Sequence, residues 1–311
     1  MKRFRRVSKM PMDTADIVLI TAYSIVVLTG ICGNSLIIHI VRTRRCMHSA
    51  MNFLLVNLAI ADLLTLSLCL PGKLLSYIPH PPSNSLENFF CKFITTHHVA
   101  GIGMVVSGFT LTLISVERYK ALVRAMDRSS RRLNKGNVIY AIAAIWIFAI
   151  LYVVPLFLFT TYDEKQKRCM TFWPISLPHG NPYWILLAII VLASFITMFV
   201  CYFSIIKGLY FTNTICGSNA ARTQEDAVEK RRIVKSLLIV SVVFVLCLFP
   251  YTFATATNVP QHTALYSVSY LLVYCNSSIN PVAYAVGSAN YRTAFREVLA
   301  KMKLVSSTRR S

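Results

Sequence analysis

Long apolar runs alternate along this chain with short polar connections that are mostly basic. Seven runs are long enough to cross a bilayer as helices, for which about 20 apolar residues suffice. They cover roughly 16–41, 50–77, 92–120, 137–160, 182–210, 232–257 and 264–286. Residues 236–290 contain no Asp, Glu, Lys or Arg, too long a stretch for one helix. Asn258-Val259-Pro260-Gln261 divides it, because Asn and Pro favour turns. After span seven, at about 288–302, Tyr291, Phe295, Val298 and Leu299 alternate with Arg292, Arg296 and Lys301, the pattern of a helix lying on a membrane surface. The pattern predicts an all-α membrane protein: a seven-transmembrane helix bundle with an amphipathic helix after span seven. A single domain fills 1–311, with an N-terminus at 1–15, the spans at 16–286, and the amphipathic helix and tail at 287–311.

Composition agrees. The chain is 55% hydrophobic and 14% charged, whereas soluble proteins carry roughly 25% charged residues. A net charge of +20 can mark a nucleic-acid binder. Here the basic residues fall between apolar spans, which is the cytoplasmic bias of membrane proteins, and no nucleic acid is expected. The connections after spans one, three, five and seven hold 22 of the 32 Lys and Arg. The N-terminus is therefore expected outside, against the local pull of Lys2, Arg3, Arg5, Arg6 and Lys9. The first apolar run is too long for a cleavable signal core. The nine cysteines form no C-x-x-C and no zinc spacing.

Residues 93–116 hold no Asp, Glu, Lys or Arg and end at Glu117-Arg118-Tyr119. On one continuous helix, Cys91 and Arg118 would lie roughly 40 Å apart, on opposite sides of a bilayer. Before span six, Thr223 and Asp226 have capping-box spacing, and Asp226 with Lys230 is a favourable i,i+4 pair. This predicts a helix that protrudes beyond the membrane. Pro71, Pro155, Pro250 and Pro281 fall in or near span ends, as hinges or as incidental kinks.

Asp62 is the only carboxylate deep in a span. Such an acid costs about 2.5–3.5 kcal/mol on insertion scales, so it turns toward a polar interior. Candidate partners are Asn34, Ser107, Asn276 and Asn280. These residue types suit either a hydrogen-bonded network around a protonated acid or a hard monovalent cation.

Gly33-Asn34, Leu58-Ala59-Ile60-Ala61-Asp62, Glu117-Arg118-Tyr119, Trp146, Phe244 with Cys247-Leu248-Phe249-Pro250, and Asn280-Pro281-Val282-Ala283-Tyr284 occur in that order. Together they resemble a rhodopsin-like (class A) G-protein-coupled receptor over nearly the whole chain. The resemblance implies a sodium pocket at Asp62, Ser107, Asn276 and Asn280, and a disulfide between Cys91 and Cys169. It also implies an activation switch of Glu117, Arg118 and Tyr119 with Tyr202, Phe244, Pro250, Pro281 and Tyr284. Departures from the family pattern are Leu248 in place of a tryptophan, Ser194 where span five would carry a proline, counted back from Tyr202, and Lys230 where some members have an acid. Cys91 also lies two residues too far from Arg118, which implies a bulge or an early helix start.

Cys169-Met170-Thr171-Phe172-Trp173-Pro174 resembles the corresponding stretch of tachykinin-like receptors, and more loosely that of neuropeptide Y and RFamide receptors. An amine ligand would need an acid in upper span three, where the counts give His98 or Ala100. An opsin would need a lysine in span seven, and 264–286 has none. A neuropeptide ligand remains, the alternative being a lipid or other non-peptide ligand. Ligand-binding candidates are His97, His98, Trp184, Tyr251, Thr255, Gln261, His262, Tyr266 and Tyr270. Tyr and Trp combine contact area with a polar handle, although aromatics also gather at membrane interfaces. Glu87, Asp163 and Glu164 are outer acids, either attracting a basic peptide or simply solvated.

The basic inner face, with Arg124, Arg128, Arg131, Arg132, Lys135, Lys230, Arg231 and Arg232, suits a heterotrimeric G protein and anionic membrane lipid. The expected setting is the plasma membrane. No enzymatic constellation appears, and no cofactor is expected beyond an allosteric sodium ion. A transporter or channel is disfavoured because the two halves do not repeat. No cysteine follows the amphipathic helix, so palmitoylation there is not expected. Asn276-Ser277-Ser278 lies inside span seven, so neither is N-glycosylation.

Overall fold

The computed structural model describes residues 13–75, 84–124, 133–163, 168–173, 182–208, 222–257, 259, 263–288, 291–298 and 300. Helix α1 (Thr14–Thr43) starts at Asp13, whose side chain caps it while Asp16 answers in a capping box. A 3₁₀ turn (Arg45–Met47) leads to α2 (Ala50–Ser67), capped by Ser49, and α3 (Cys69–Leu75) extends it. Then come α4 (Asn84–Phe90), a π-helical turn (Cys91–Thr95) and α5 (His98–Leu122). Helix α6 (Lys135–Phe159) ends in an antiparallel hairpin of β1 (Thr160–Asp163) and β2 (Arg168–Thr171). Helices α7 (Pro182–Ile206), α8 (Arg222–Ala256) and α9 (Ala264–Gly287) follow, and α10 spans 291–298.

Six described helices are long and apolar enough to cross a membrane. Helix α9 completes a seven-span bundle: its 24 residues reach about 36 Å at 1.5 Å per residue. It is less apolar because it buries Ser269, Asn276, Ser277 and Asn280 inside. The outer surface is the reverse of a soluble protein's. Leu28, Leu151, Phe199, Leu246 and Val286 are all at least 63% exposed, a cost in water that hydrocarbon removes. Inside, α2 packs on α5, α1 on α2 and α9, and α8 on α9.

Two elements differ from the sequence expectation. Span three is not one straight helix. Its outer end is a π turn, and the helix breaks again at His97, which is left-handed at φ 57° and ψ 25°. Both devices absorb the surplus residues between Cys91 and Arg118, because a π turn takes up more residues per turn than an α turn. At the other site, α8 already begins at Arg222, so Thr223 lies inside the first turn rather than at its cap. The helix does protrude: its 35 residues span roughly 50 Å.

One hydrogen-bonded chain fixes α2, α5 and α6 together. Trp146 Nε1 donates to Asn57 Oδ1 at 2.8 Å, and Asn57 Nδ2 donates to Thr110 Oγ1 at 2.8 Å. Asn57→Ala leaves the indole N–H without its acceptor, at a cost of about 1–3 kcal/mol. Thermal melts of the purified chain in detergent should show a lower Tm; an unchanged Tm would show that the chain of bonds is not structural.

Candidate functional site

Three polar or aromatic groups lie along the bundle. In the middle, Asp62 is fully buried. Its Oδ2 accepts from Asn280 Nδ2 at 2.7 Å and its Oδ1 from Ser107 Oγ at 3.3 Å. Three of the residues singled out in the sequence thus meet, from α2, α5 and α9. Ser277, which the sequence reading passed over, adds a hydroxyl beside them. Asn34 does something else: its Nδ2 donates to Ser277 O at 2.8 Å and to Gly30 O at 2.9 Å, tying α1 to α9. Asn276 is buried on the same helix, and its Oδ1 has no hydrogen-bond partner.

At one end, Arg118 lines a cavity of about 410 Å³ with Arg44, Asn52, Ser236, Tyr284 and Tyr291. Glu117 Oε2 accepts from the Leu133 N–H at 3.0 Å, and Oε1 lies 3.8 Å from Lys120 Nζ. The carboxylate therefore ties the end of α5 to Leu133, just before α6. Tyr202 is buried and accepts from Ser241 Oγ at 3.2 Å. Tyr284 is buried with no partner for its hydroxyl. Tyr291 of α10 donates to Asn52 Oδ1 at 3.2 Å, seating α10 on α2. Phe244 packs edge-on against Phe195, while Pro250 and Pro281 sit within α8 and α9.

At the other end, Cys91 and Cys169 form a disulfide that ties the hairpin to the π turn. Tyr162 N–H reinforces it by donating to Asn88 Oδ1 at 2.8 Å. Below this lies an aromatic cluster. His97 meets Tyr270 edge-on at 5.0 Å, and its Nδ1 lies 2.9 Å from Tyr274 Oη. Tyr251 contacts Tyr266 and Tyr270, and Tyr23 closes the cluster against Tyr274. Glycine at position 72 is required here, since a Cβ would stand 2.5 Å from His97 Cε1.

Four of the ligand candidates, His97, Tyr251, Tyr266 and Tyr270, therefore converge. His98 does not: it is buried against Thr160, with Nε2 2.9 Å from Thr160 Oγ1. Nor does Thr255, which is exposed and donates to Tyr251 O of its own helix. Gln261 and His262 lie outside the described residues, as does the Trp184 side chain. Tyr23, Tyr274 and Gly72 were missed, although Tyr266, Tyr270 and Tyr274 continue one i,i+4 series. Among the outer acids, Glu87 is 3% exposed with both oxygens unpartnered, so it is not a solvated loop charge. Asp163 pairs in strand register with Arg168, and Glu164 lies outside the described residues.

Residues 33–284 match the family model described as "7 transmembrane receptor (rhodopsin family)". The chain belongs to this family. Relatives include the somatostatin receptor type 5 of Rattus norvegicus, 28% identical over 94% of this chain and 80% of its own length. The galanin receptor type 1 of Homo sapiens is 28% identical, over 91% and 82%. The neuropeptide Y receptor type 2 of Cavia porcellus is 28% identical, over 90% and 75%. The protein is thus a class A receptor in a membrane and not an enzyme. Within this receptor, the His97–Tyr274 bond links α9 to the break before α5. In a double-mutant cycle, His97→Phe and Tyr274→Phe should show a coupling of about 0.5–1.5 kcal/mol in thermal stability. Simple additivity would mean that the bond contributes nothing.

Proposed function

We propose that this receptor is activated by a peptide at the Cys91–Cys169 end and passes the signal to a heterotrimeric G protein at the Arg118 end. The observation that carries the peptide reading is the cluster of His97, Tyr251, Tyr266, Tyr270 and Tyr274. It gives a broad, aromatic floor near the hairpin, in which one histidine and four tyrosines meet edge-on and stacked. Such a floor suits uncharged and aromatic side chains of a peptide rather than a lone ammonium group. The relatives named for somatostatin, galanin and neuropeptide Y support the same class. The charge bias of the connections supports an Arg118 face in the cytoplasm and an N-terminus outside. The ligand can act only through its differential affinity for two helix arrangements.

The test is a panel of amidated neuropeptides, with somatostatin, galanin and neuropeptide Y included, applied to cells expressing the chain with a G-protein dissociation readout. A saturable response to a peptide is expected. Silence toward every peptide, with a response to a lipid fraction, would replace the peptide reading.

The Asp62 group also fits a sodium ion. One carboxylate and the hydroxyls of Ser107 and Ser277 offer a single negative charge and neutral hard oxygens. Asp62 of α2, Ser107 of α5 and Ser277 of α9 would hold such an ion, which would supply a positive charge between these three helices. Ligand and ion then oppose each other reciprocally. Agonist affinity should fall several-fold when sodium chloride replaces choline chloride, and Asp62→Asn should abolish that difference. A variant that keeps the full salt response would retire the ion.

A further inference from the structure

The Arg118 end of α8 rests on α9 through an unusually close contact. A Cβ added at Gly287 would lie 2.0 Å from Ser236 Cβ and 2.2 Å from its Oγ. No side chain but hydrogen fits there without moving one helix. Both residues are buried, Ser236 at 6% exposure. Ser236 Oγ also donates to the Ala283 carbonyl at 2.7 Å, so the serine is held against the last turn of α9. Ser236 and Gly287 line the same cavity as Arg118 and Tyr284. Their contact is therefore one wall of the cavity that a G protein would enter.

We propose that Ser236, Ala283 and Gly287 form an autoinhibitory latch that holds α8 against α9 and keeps the Arg118 cavity narrow. The proposal rests on the reading of the Arg118 end as the G-protein face. In hydrocarbon no hydrophobic force drives helices together, so association relies on close packing at small residues and on interhelical hydrogen bonds. The latch uses one of each, at one point. Both vanish once the helices part by the width of a methyl group, because dispersion and hydrogen bonding fall steeply with distance. Packed interfaces switch between discrete arrangements instead of deforming smoothly. A contact this local is thus suited to being either made or broken.

The experiment compares wild type, Gly287→Ala, Ser236→Ala and the pair Ser236→Gly with Gly287→Ala, each normalised to receptor number at the cell surface. Ligand-independent G-protein activation should rise several-fold in Gly287→Ala and by less in Ser236→Ala, which loses only the hydrogen bond. The paired variant restores room for the methyl group and should return activation to the level of Ser236→Ala. Ser236→Ala adds no atoms, so it reports even where Gly287→Ala fails to reach the surface. A spin-label distance between the Arg118 ends of α2 and α8 is measured in parallel. A widened distance with a silent G protein supports the latch and overturns the G-protein reading. Wild-type distance and wild-type basal signalling in the single variants would overturn the latch.

Discussion

Hydrocarbon offers a polar group no partner, and the architecture of this receptor follows from that. A water-facing helix can leave an Asn or Asp on its surface at little cost; a lipid-facing one cannot. Asp62, Asn34, Asn57, Ser107, Asn276 and Asn280 are accordingly all at most 5% exposed. Their convergence decides which face of α1, α2, α5, α6 and α9 turns inward. Asp62 receives hydrogen bonds from α5 and α9, Asn57 binds α6 and α5, and Asn34 binds α9. Apolar side chains fill what remains, around Leu54, Leu58, Leu111, Ile114 and Tyr202. Since Leu is as content in lipid as in the core, these polar bonds set the rotation of each helix, and packing refines it.

The same constraint separates what the sequence makes legible from what it hides. An acid in the middle of an apolar run is conspicuous, so Asp62 stands out with Asn34, Ser107, Asn276 and Asn280 as candidate partners, but only docking the helices shows that Ser107 and Asn280 meet it. The disulfide was legible only through resemblance to known receptors, since nothing local in Cys91 or Cys169 names its partner. The outer end was harder. His97 and His98 are neighbours with equal credentials, and on a regular helix both would flank the same space. The left-handed residue sends one ring toward α9 and the other toward Thr160. Backbone dihedrals of that kind leave no trace in residue type, because histidine is not a residue that needs a positive φ. Thr255 failed for a related reason. A hydroxyl can satisfy itself on its own helix carbonyl, so a polar residue in a span need not face inward. Gly287 and Ser236 are invisible until the helices are docked.

The break at His97 also carries a cost. A non-glycine residue in the left-handed region is strained by roughly 1–2 kcal/mol. Strain of this kind persists only where the surroundings over-determine it. Three restraints do so here. The disulfide pins Cys91, Thr96 Oγ1 donates to the Cys91 carbonyl, and the His97 ring is held by Tyr274 and the open space at Gly72. All three lie toward the Cys91–Cys169 end of the bundle.

Helix α9 connects these places. Tyr266, Tyr270 and Tyr274 reach the cluster at one end; Ser277 and Asn280 meet α1 and Asp62 in the middle; Ala283, Tyr284 and Gly287 meet α8 and the Arg118 cavity at the other. A ligand that shifted Tyr270 or Tyr274 would displace one stiff rod, interrupted at Pro281. The helix need not transmit force along its bonds. It need only have two seatings, one in which Gly287 fits Ser236 and Asn280 fits Asp62, and one in which they part. Coupling between the ends then follows from both being contacts of a single body whose seating each of them biases. Because membrane helix contacts are individually weak, neither seating is locked. A modest difference in ligand affinity between the two is then enough to move the population.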